Sequence, residues 1–253
     1  MNSSSTPMSV SLVIPMYNEE ENIEHAIDCA VAALEPFDYE IIIVDDASTD
    51  RSAEIVRAEM VANPRIRLLR HEVNRKLGGA LKTGYGAAVK DVVVYMDADL
   101  PFDPEVIGRA MRALYITRAD MIAGYRLDRT TEGFRRTVYS YLYNTLIGLL
   151  FGWPHRDVNF SFKLMRREVL EAVELRSEGS LIDAELIVKA RNLGFVIQQL
   201  GLDYFPRSRG ESTLSSPAVI FKIVRELIQL YPEMKHPRRR SAQPTPDPQP
   251  AHT

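Results

Sequence analysis

The sequence predicts an α/β domain built on a doubly wound, mostly parallel sheet with flanking helices. Three observations predict it. Continuous apolar runs rich in Val and Ile recur through the first half, as strands buried on both faces require. Stretches of helical periodicity separate those runs, as in βαβ units. Polar and acidic residues follow the runs directly, at the strand ends where ligands of such sheets bind. A chain of 253 residues accommodates one domain of this kind with additions.

In chain order, Val10 to Met16 reads as the first strand, closed by Asn18 and Glu19, and Glu19 to Leu34 as an amphipathic helix. Glu40 to Val44 is a β-branched run that ends in Asp45 and Asp46, with a helix over Asp50 to Val61. Ile66 to Arg70 is a strand and Gly78 to Lys90 a helix of small residues. Val92 to Met96 is a strand that ends in Asp97-Ala98-Asp99; Pro104 to Leu114 is helical and Met121 to Gly124 a short strand.

The second half changes character. Val138, Tyr141, Leu142, Leu146, Leu149 and Leu150 recur near helical spacing after Arg135-Arg136. Phe160 to Met165 reads as a strand, Arg167 to Leu175 and Leu181 to Asn192 as helices, and Val196 to Phe205 as extended chain. Ile220, Ile223, Val224, Leu227 and Tyr231 line one face of a last helix, a C-terminal amphipathic one. The expected organisation is a flexible N-terminus over residues 1–9, one domain over 10–235, and a disordered, proline-rich tail over 236–253.

Composition narrows the function. The net charge of −3 gives no bulk attraction to nucleic acid. The one cysteine, Cys29, excludes an internal disulfide framework and a thiolate metal cluster, and suits a reducing compartment. Met1 to Ser9 lacks the pattern of a signal peptide. No apolar run reaches the roughly 20 residues that span a bilayer; Tyr139 to Trp153 comes closest and is interrupted. The expected location is cytoplasmic, peripheral on the inner face of a membrane at most. Val138 to Leu150, with its aromatics and flanking arginines, suits either a core-packing helix or an interfacial one.

Asp97 and Asp99 lie two apart just past a buried strand, and both reach one point only if the backbone turns there, as Leu100-Pro101 allows. Carboxylates are hard oxygen ligands suited to Mg²⁺ or Mn²⁺, which also hold substrate phosphates. The alternative is a solvated loop or a cap for the Pro104 helix. Ser48 or Thr49 suits the cap of the next helix, but a cap does not require Asp45 and Asp46, which suit a base N–H or a ribose hydroxyl. Asn74 to Gly86 mixes glycines with Arg75, Lys76 and Lys82, which suits either a diphosphate or a plain flexible loop. Arg207 and Arg209 flank a segment that suits either phosphate or solvent.

The run Val13-Ile14-Pro15-Met16-Tyr17-Asn18-Glu19-Glu20-Glu21-Asn22-Ile23, then Ile43-Val44-Asp45-Asp46-Ala47-Ser48-Thr49-Asp50, then Met96-Asp97-Ala98-Asp99-Leu100 resembles the inverting glycosyltransferases of family 2, with the GT-A fold. Gly124-Tyr125-Arg126, Arg135 with Tyr143 to Leu146, Asp157 to Lys163, and Arg207 to Leu214 look most like the dolichyl- and polyprenyl-phosphate sugar synthases. The resemblance implies transfer of a sugar, with inversion, from a GDP- or UDP-linked donor to a polyprenyl phosphate. It implies a nucleotide pocket of Pro15, Tyr17, Asn18, Glu19, Asp45, Asp46, Lys82 and Ala98, in a donor half over residues 10–125. Asp97 and Asp99 would hold Mg²⁺ or Mn²⁺, with Arg126 and Asp157 catalytic beside them. Arg135, Arg207, Arg209 and Ser212 would bind phosphate in an acceptor half over 126–235. Two positions depart from the pattern: Pro101 stands where many lipid-phosphate mannose synthases have Gln, and Thr213 where the family often has Lys. A soluble acceptor, for which Asp157, Asp183 or Glu185 would serve as base, and a non-catalytic nucleotide-sugar-binding regulator are the rival readings.

Overall fold

The computed structural model describes residues 9–128, 134–152, 156–205 and 217–240; the side chains of 134–136 and 217–221 are also outside the description. Its strands are β1 (Val10–Met16), β2 (Tyr39–Asp45), β3 (Ile66–Arg70), β4 (Val92–Tyr95), β5 (Met121–Arg126), β6 (Lys163–Arg166) and β7 (Ile197–Leu202). They form one sheet in the order β3-β2-β1-β4-β6-β5-β7. The helices are α1 (Ile23–Leu34), α2 (Ser52–Ala62), α3 (Lys76–Ala87), α4 (Val106–Thr117), α5 (Phe134–Phe151), α6 (Arg167–Ala172), α7 (Ile182–Asn192) and α8 (Pro217–Lys235).

Both faces of the sheet are covered, and alternation along the strands divides the core. Leu12 and Ile14 of β1, Ile41 and Ile43 of β2, and Val94 of β4 pack with residues of α1 and α4. Val13, Ile42, Val44, Val93 and Tyr95 point the other way, toward residues of α3 and α7. Strands buried on both sides explain the continuous apolar runs. Gly84 lets α3 settle on the sheet, because a Cβ there would lie 2.3 Å from Val13 Cγ1. Gly78 likewise abuts the carbonyl of Ser177, at 2.4 Å from a built Cβ, and its N–H donates to Glu178 O. Gly78 and Gly84 therefore serve helix packing.

Two features are not carried by the apolar pattern or the cap residues of the sequence. β6 runs antiparallel to both β4 and β5, so it is inserted between two strands that are parallel to each other. Apolar content alone does not carry strand direction. The start of α2 is held by Asp50, whose carboxylate accepts from the N–H and hydroxyl of Ser52, rather than by Ser48 or Thr49. Among the described residues no helix is long and apolar enough to cross a membrane.

Candidate active site

The chain moves outward from β1 to β2 and β3, then returns to add β4 on the other side of β1. The carboxyl ends of β1 and β4 therefore flank a topological switch point, where α/β sheets bind ligands. Backbone strain gathers there. Asn18, Ala47 and Leu100 follow β1, β2 and β4 and carry positive φ angles of 54°, 67° and 49°. Such conformations in residues other than glycine persist only where the surroundings fix them.

The surroundings are explicit. Asn18 donates its N–H to Ser48 Oγ at 3.0 Å, and its side-chain oxygen accepts from the N–H of Thr49 at 2.8 Å. Glu19 N–H donates to Ser52 Oγ. Asp45 Oδ1 accepts from Ser48 N–H at 2.8 Å, while Arg70 Nε lies 3.0 Å from its other oxygen. Asp46 Oδ1 accepts from Arg75 N–H at 2.8 Å and lies 2.7 Å from His71 Nδ1. His71 Nε2 reaches Thr83 Oγ1 of α3 at 2.9 Å. Both carboxylates are buried, while Tyr17 is 48% exposed and Pro15 and Glu19 are half-buried at the rim. Arg70 and His71, at the end of β3, have no local sequence signature that marks either as a brace for an acid on the neighbouring strand.

Asp97 and Asp99 stand beyond β4, and the left-handed Leu100 supplies the turn expected after them. Phe102 anchors the loop in the core against Phe162, with ring centroids 5.1 Å apart, and Phe205 N–H donates to Pro101 O. Asp97 Oδ1 accepts from the Tyr95 hydroxyl at 2.8 Å. Burial raises the Asp97 pKa to about 7; the charge of Asp99 adds to this, and hydrogen bonds from Tyr95 and Ser161 oppose it. Burial, and then the charge of Asp97 itself, pushes the Tyr95 phenol well above its ordinary value. Two mutually repelling carboxylates with oxygen donors only are suited to a hard divalent cation, which would relieve the repulsion. No cluster of three or more His, Cys, Asp or Glu fit to hold a metal occurs among the described residues, so such an ion would complete its shell with phosphate and water oxygens. The Ala98 methyl is buried in the α1–α4 core, which leaves its backbone as the part available to a nucleotide.

Arg126 and Asp157 are brought together as the sequence grouped them. Arg126 Nε lies 3.6 Å from Asp157 Oδ2, and its guanidinium stacks over Phe160 and Tyr204 at 5.2 and 4.8 Å from the ring centroids. Asp183 lies 2.5 Å from the fully buried Lys163. Burial raises the Asp183 pKa, and Lys163 opposes that shift. Glu185 accepts from the N–H groups of Arg176 and Ser177 and from Lys189. These bonds give Glu185 a bracing role. Lys82 donates to Arg176 O at 3.1 Å, so its ammonium is turned to the segment before α7. Arg135 lies in the first turn of α5, with its side chain outside the description. Arg207, Arg209 and Ser212 lie outside the described residues.

With this geometry in place, comparison with known proteins gives a consistent answer. The sequence matches the pattern of "Glycosyl transferase family 2" over residues 11–174. The chain belongs to glycosyl transferase family 2. It is 32% identical over 229 residues to a dolichol-phosphate mannosyltransferase of Pyrococcus furiosus, covering 88% of this chain and 64% of the relative. It is 36% identical over 168 residues to an undecaprenyl-phosphate 4-deoxy-4-formamido-L-arabinose transferase of Edwardsiella ictaluri, covering 65% and 51%. The chain thus spans between about half and two thirds of the length of these two relatives. Among solved structures, glucosyl-3-phosphoglycerate synthase of Mycobacterium tuberculosis, in complex with Mn²⁺, uridine diphosphate and phosphoglyceric acid, superposes with a TM-score of 0.70 at 19% identity, covering 88% of this chain and 78% of that one. The family 2 match begins in β1 and ends just after α6, so it contains both β6 and the acidic loops after β1, β2 and β4.

Proposed function

We propose that this protein transfers a sugar, with inversion, from a UDP- or GDP-linked donor to a polyprenyl phosphate, with a divalent cation. The observation that carries the reading is the placement of Asp97 and Asp99 at the β1/β4 switch point, with the braced pair Asp45 and Asp46 at the same end of the sheet on the other side of β1. The names of the family 2 relatives give the acceptor class. Mn²⁺ and uridine diphosphate, named with the structural neighbour, are the first probes to use.

Asp97 and Asp99 would hold Mg²⁺ or Mn²⁺, which when bound supplies Lewis-acid stabilisation of the leaving diphosphate. Asp45 and Asp46, with Pro15, Tyr17, Asn18 and Glu19 at the rim, would accept hydrogen bonds from base and ribose in the donor half. A lipid phosphate oxygen is already anionic at neutral pH, so the acceptor needs orientation rather than a strong general base. Arg126 is suited to this, since Asp157 and two aromatic rings fix its fork at the end of β5. Arg135, Arg207, Arg209 and Ser212 would complete the acceptor half.

The same reading places the protein on the inner face of a membrane. On α5, Ile147 faces the core while Tyr141, Leu142 and Leu149 are 70%, 57% and 80% exposed, and Ile228 of α8 is 70% exposed. Apolar residues on the outward face suit an interfacial helix. The test is product formation from UDP- and GDP-sugars with Mn²⁺ and a polyprenyl phosphate. Asp99→Asn is expected to lower kcat by at least about 100-fold; full activity in that variant would sink the metal assignment. Transfer to soluble acceptors with none to lipid phosphate would overturn the acceptor.

A further inference from the structure

The antiparallel insertion of β6 has a consequence at the metal-binding acids. Its register with β4 sets Lys163 opposite Tyr95. Continued two residues toward the site, the same register brings Ser161 opposite Asp97. The Tyr95 hydroxyl donates to Asp97 Oδ1 at 2.8 Å, and the Ser161 side chain hydrogen-bonds the same carboxylate. Tyr95 and Ser161 are 1% and 5% exposed. Behind Tyr95, the Lys163 ammonium sits 5.6 Å from its ring centroid and is held by Asp183 and by the carbonyl of Phe160. A buried ion pair adds little net stability compared with apolar residues of similar volume. Its position behind a ligand-bonded tyrosine gives it a different use.

We propose that Tyr95 and Ser161 are positioning residues that aim the Asp97 carboxylate at the divalent cation, and that Lys163 with Asp183 holds Tyr95 in place. This rests on the reading of Asp97 and Asp99 as the metal ligands. Tyr95 occupies one Asp97 oxygen and thereby sets the direction of the other. Groups that hydrogen-bond a ligating carboxylate restrict its rotation, so less order has to be imposed when the ion binds. The bland alternative is that both hydroxyls merely satisfy a half-buried acid within the core. A built-in control separates the two: Tyr85, on α3 and facing the same core, has a buried hydroxyl with no hydrogen-bond partner.

The experiment is calorimetric titration of the full chain with Mn²⁺ alone and with saturating uridine or guanosine diphosphate. Tyr95→Phe and Ser161→Ala are each expected to raise the Mn²⁺ Kd about 10–100-fold, while Tyr85→Phe leaves it unchanged. Melting temperatures measured without metal report folding separately, and Ser161→Ala decides the question if Tyr95→Phe does not fold. If Asp97→Asn abolishes Mn²⁺ binding but Tyr95→Phe and Ser161→Ala bind like the wild type, the positioning role is overturned and the metal assignment stands. Equal weakening by Tyr85→Phe would also overturn it. Wild-type Mn²⁺ affinity in Asp97→Asn would remove the metal assignment itself.

Discussion

Asp45 and Asp46, at the end of β2, are held by N–H groups of Ser48 and Arg75 and by the nearby Arg70 and His71. Asp157, in a loop, and Asp183, in α7, are held instead by Arg126 of β5 and Lys163 of β6. The β2 side thus fixes its acids largely through backbone N–H groups, and the β5–β6 side through ion pairs inside a core. A turn supplies N–H dipoles without burying a second charge. An ion pair requires two desolvated groups, and the loss of one strands the other.

The largest expected effect breaks that second arrangement. Lys163→Met removes a fully buried ammonium and leaves Asp183 buried opposite an apolar side chain. The expected loss of stability is about 3–5 kcal/mol by urea unfolding. Combining it with Asp183→Leu should recover much of that loss, since the buried charge is then gone too. A double variant no more stable than Lys163→Met would show that the cost came from packing instead.

The packing of α3 on β1 should be sensitive to added volume. At Gly84→Ala the new methyl meets Val13 Cγ1 at 2.3 Å, between α3 and β1. Moving the helix off the sheet is expected to cost about 1–3 kcal/mol. Gly86→Ala on the same helix, where a Cβ meets nothing within 4 Å, should be neutral or stabilising by less than about 1 kcal/mol. Equal destabilisation at both positions would contradict the close approach.

This division also explains what was legible in the sequence. Strands β1 to β4 follow their apolar runs closely, and the acids after them lie at one end of the sheet because every strand end of a parallel sheet points the same way. Asp97, Asp99, Asp45 and Asp46 were therefore placeable without coordinates. The roles of Tyr95, Ser161 and Lys163 were not. They depend on β6 running antiparallel beside β4, and that pairing joins positions 95 and 163 across three intervening helices or strands. Neither Lys163 nor Tyr95 carries a local pattern that distinguishes a tie to Asp97 from ordinary core filling. Gly78 and Gly84 misled for a related reason: close approach was readable, but its partners, the segment before α7 and Val13, were not.

Asp97 allows a sharper test. Its pKa is raised from an ordinary 3.8 to about 7 by burial and by Asp99. The raised value means that the native state holds a proton the unfolded chain has released. Stability of the metal-free protein from this group is thus full below about pH 4 and lost as pH rises to about 7. The metal-free wild type should lose stability relative to Asp97→Asn across that window, and the difference should be flat above it. If Asp97 holds Mn²⁺, the ion displaces the same proton, so its affinity should rise up to about tenfold per pH unit below 7 and level off above. A stability difference independent of pH would mean that Asp97 is already ionised in the metal-free protein.

The smallest expected effect concerns the surface on the β2 side. Arg51 Nε lies 3.4 Å from Glu20 Oε2, with the two side chains 76% and 38% exposed. The same Glu20 oxygen accepts the Arg51 backbone N–H at 3.0 Å. Arg51→Ala removes the exposed ion pair and leaves the backbone bond, so the stability change should stay within about 1 kcal/mol and shrink further in high salt. Glu20→Ala removes both and should cost more. If the order were reversed, exposed charge rather than backbone hydrogen bonding would be joining the loop after β1 to the start of α2, and the contrast between the two sides would fail at its simplest point.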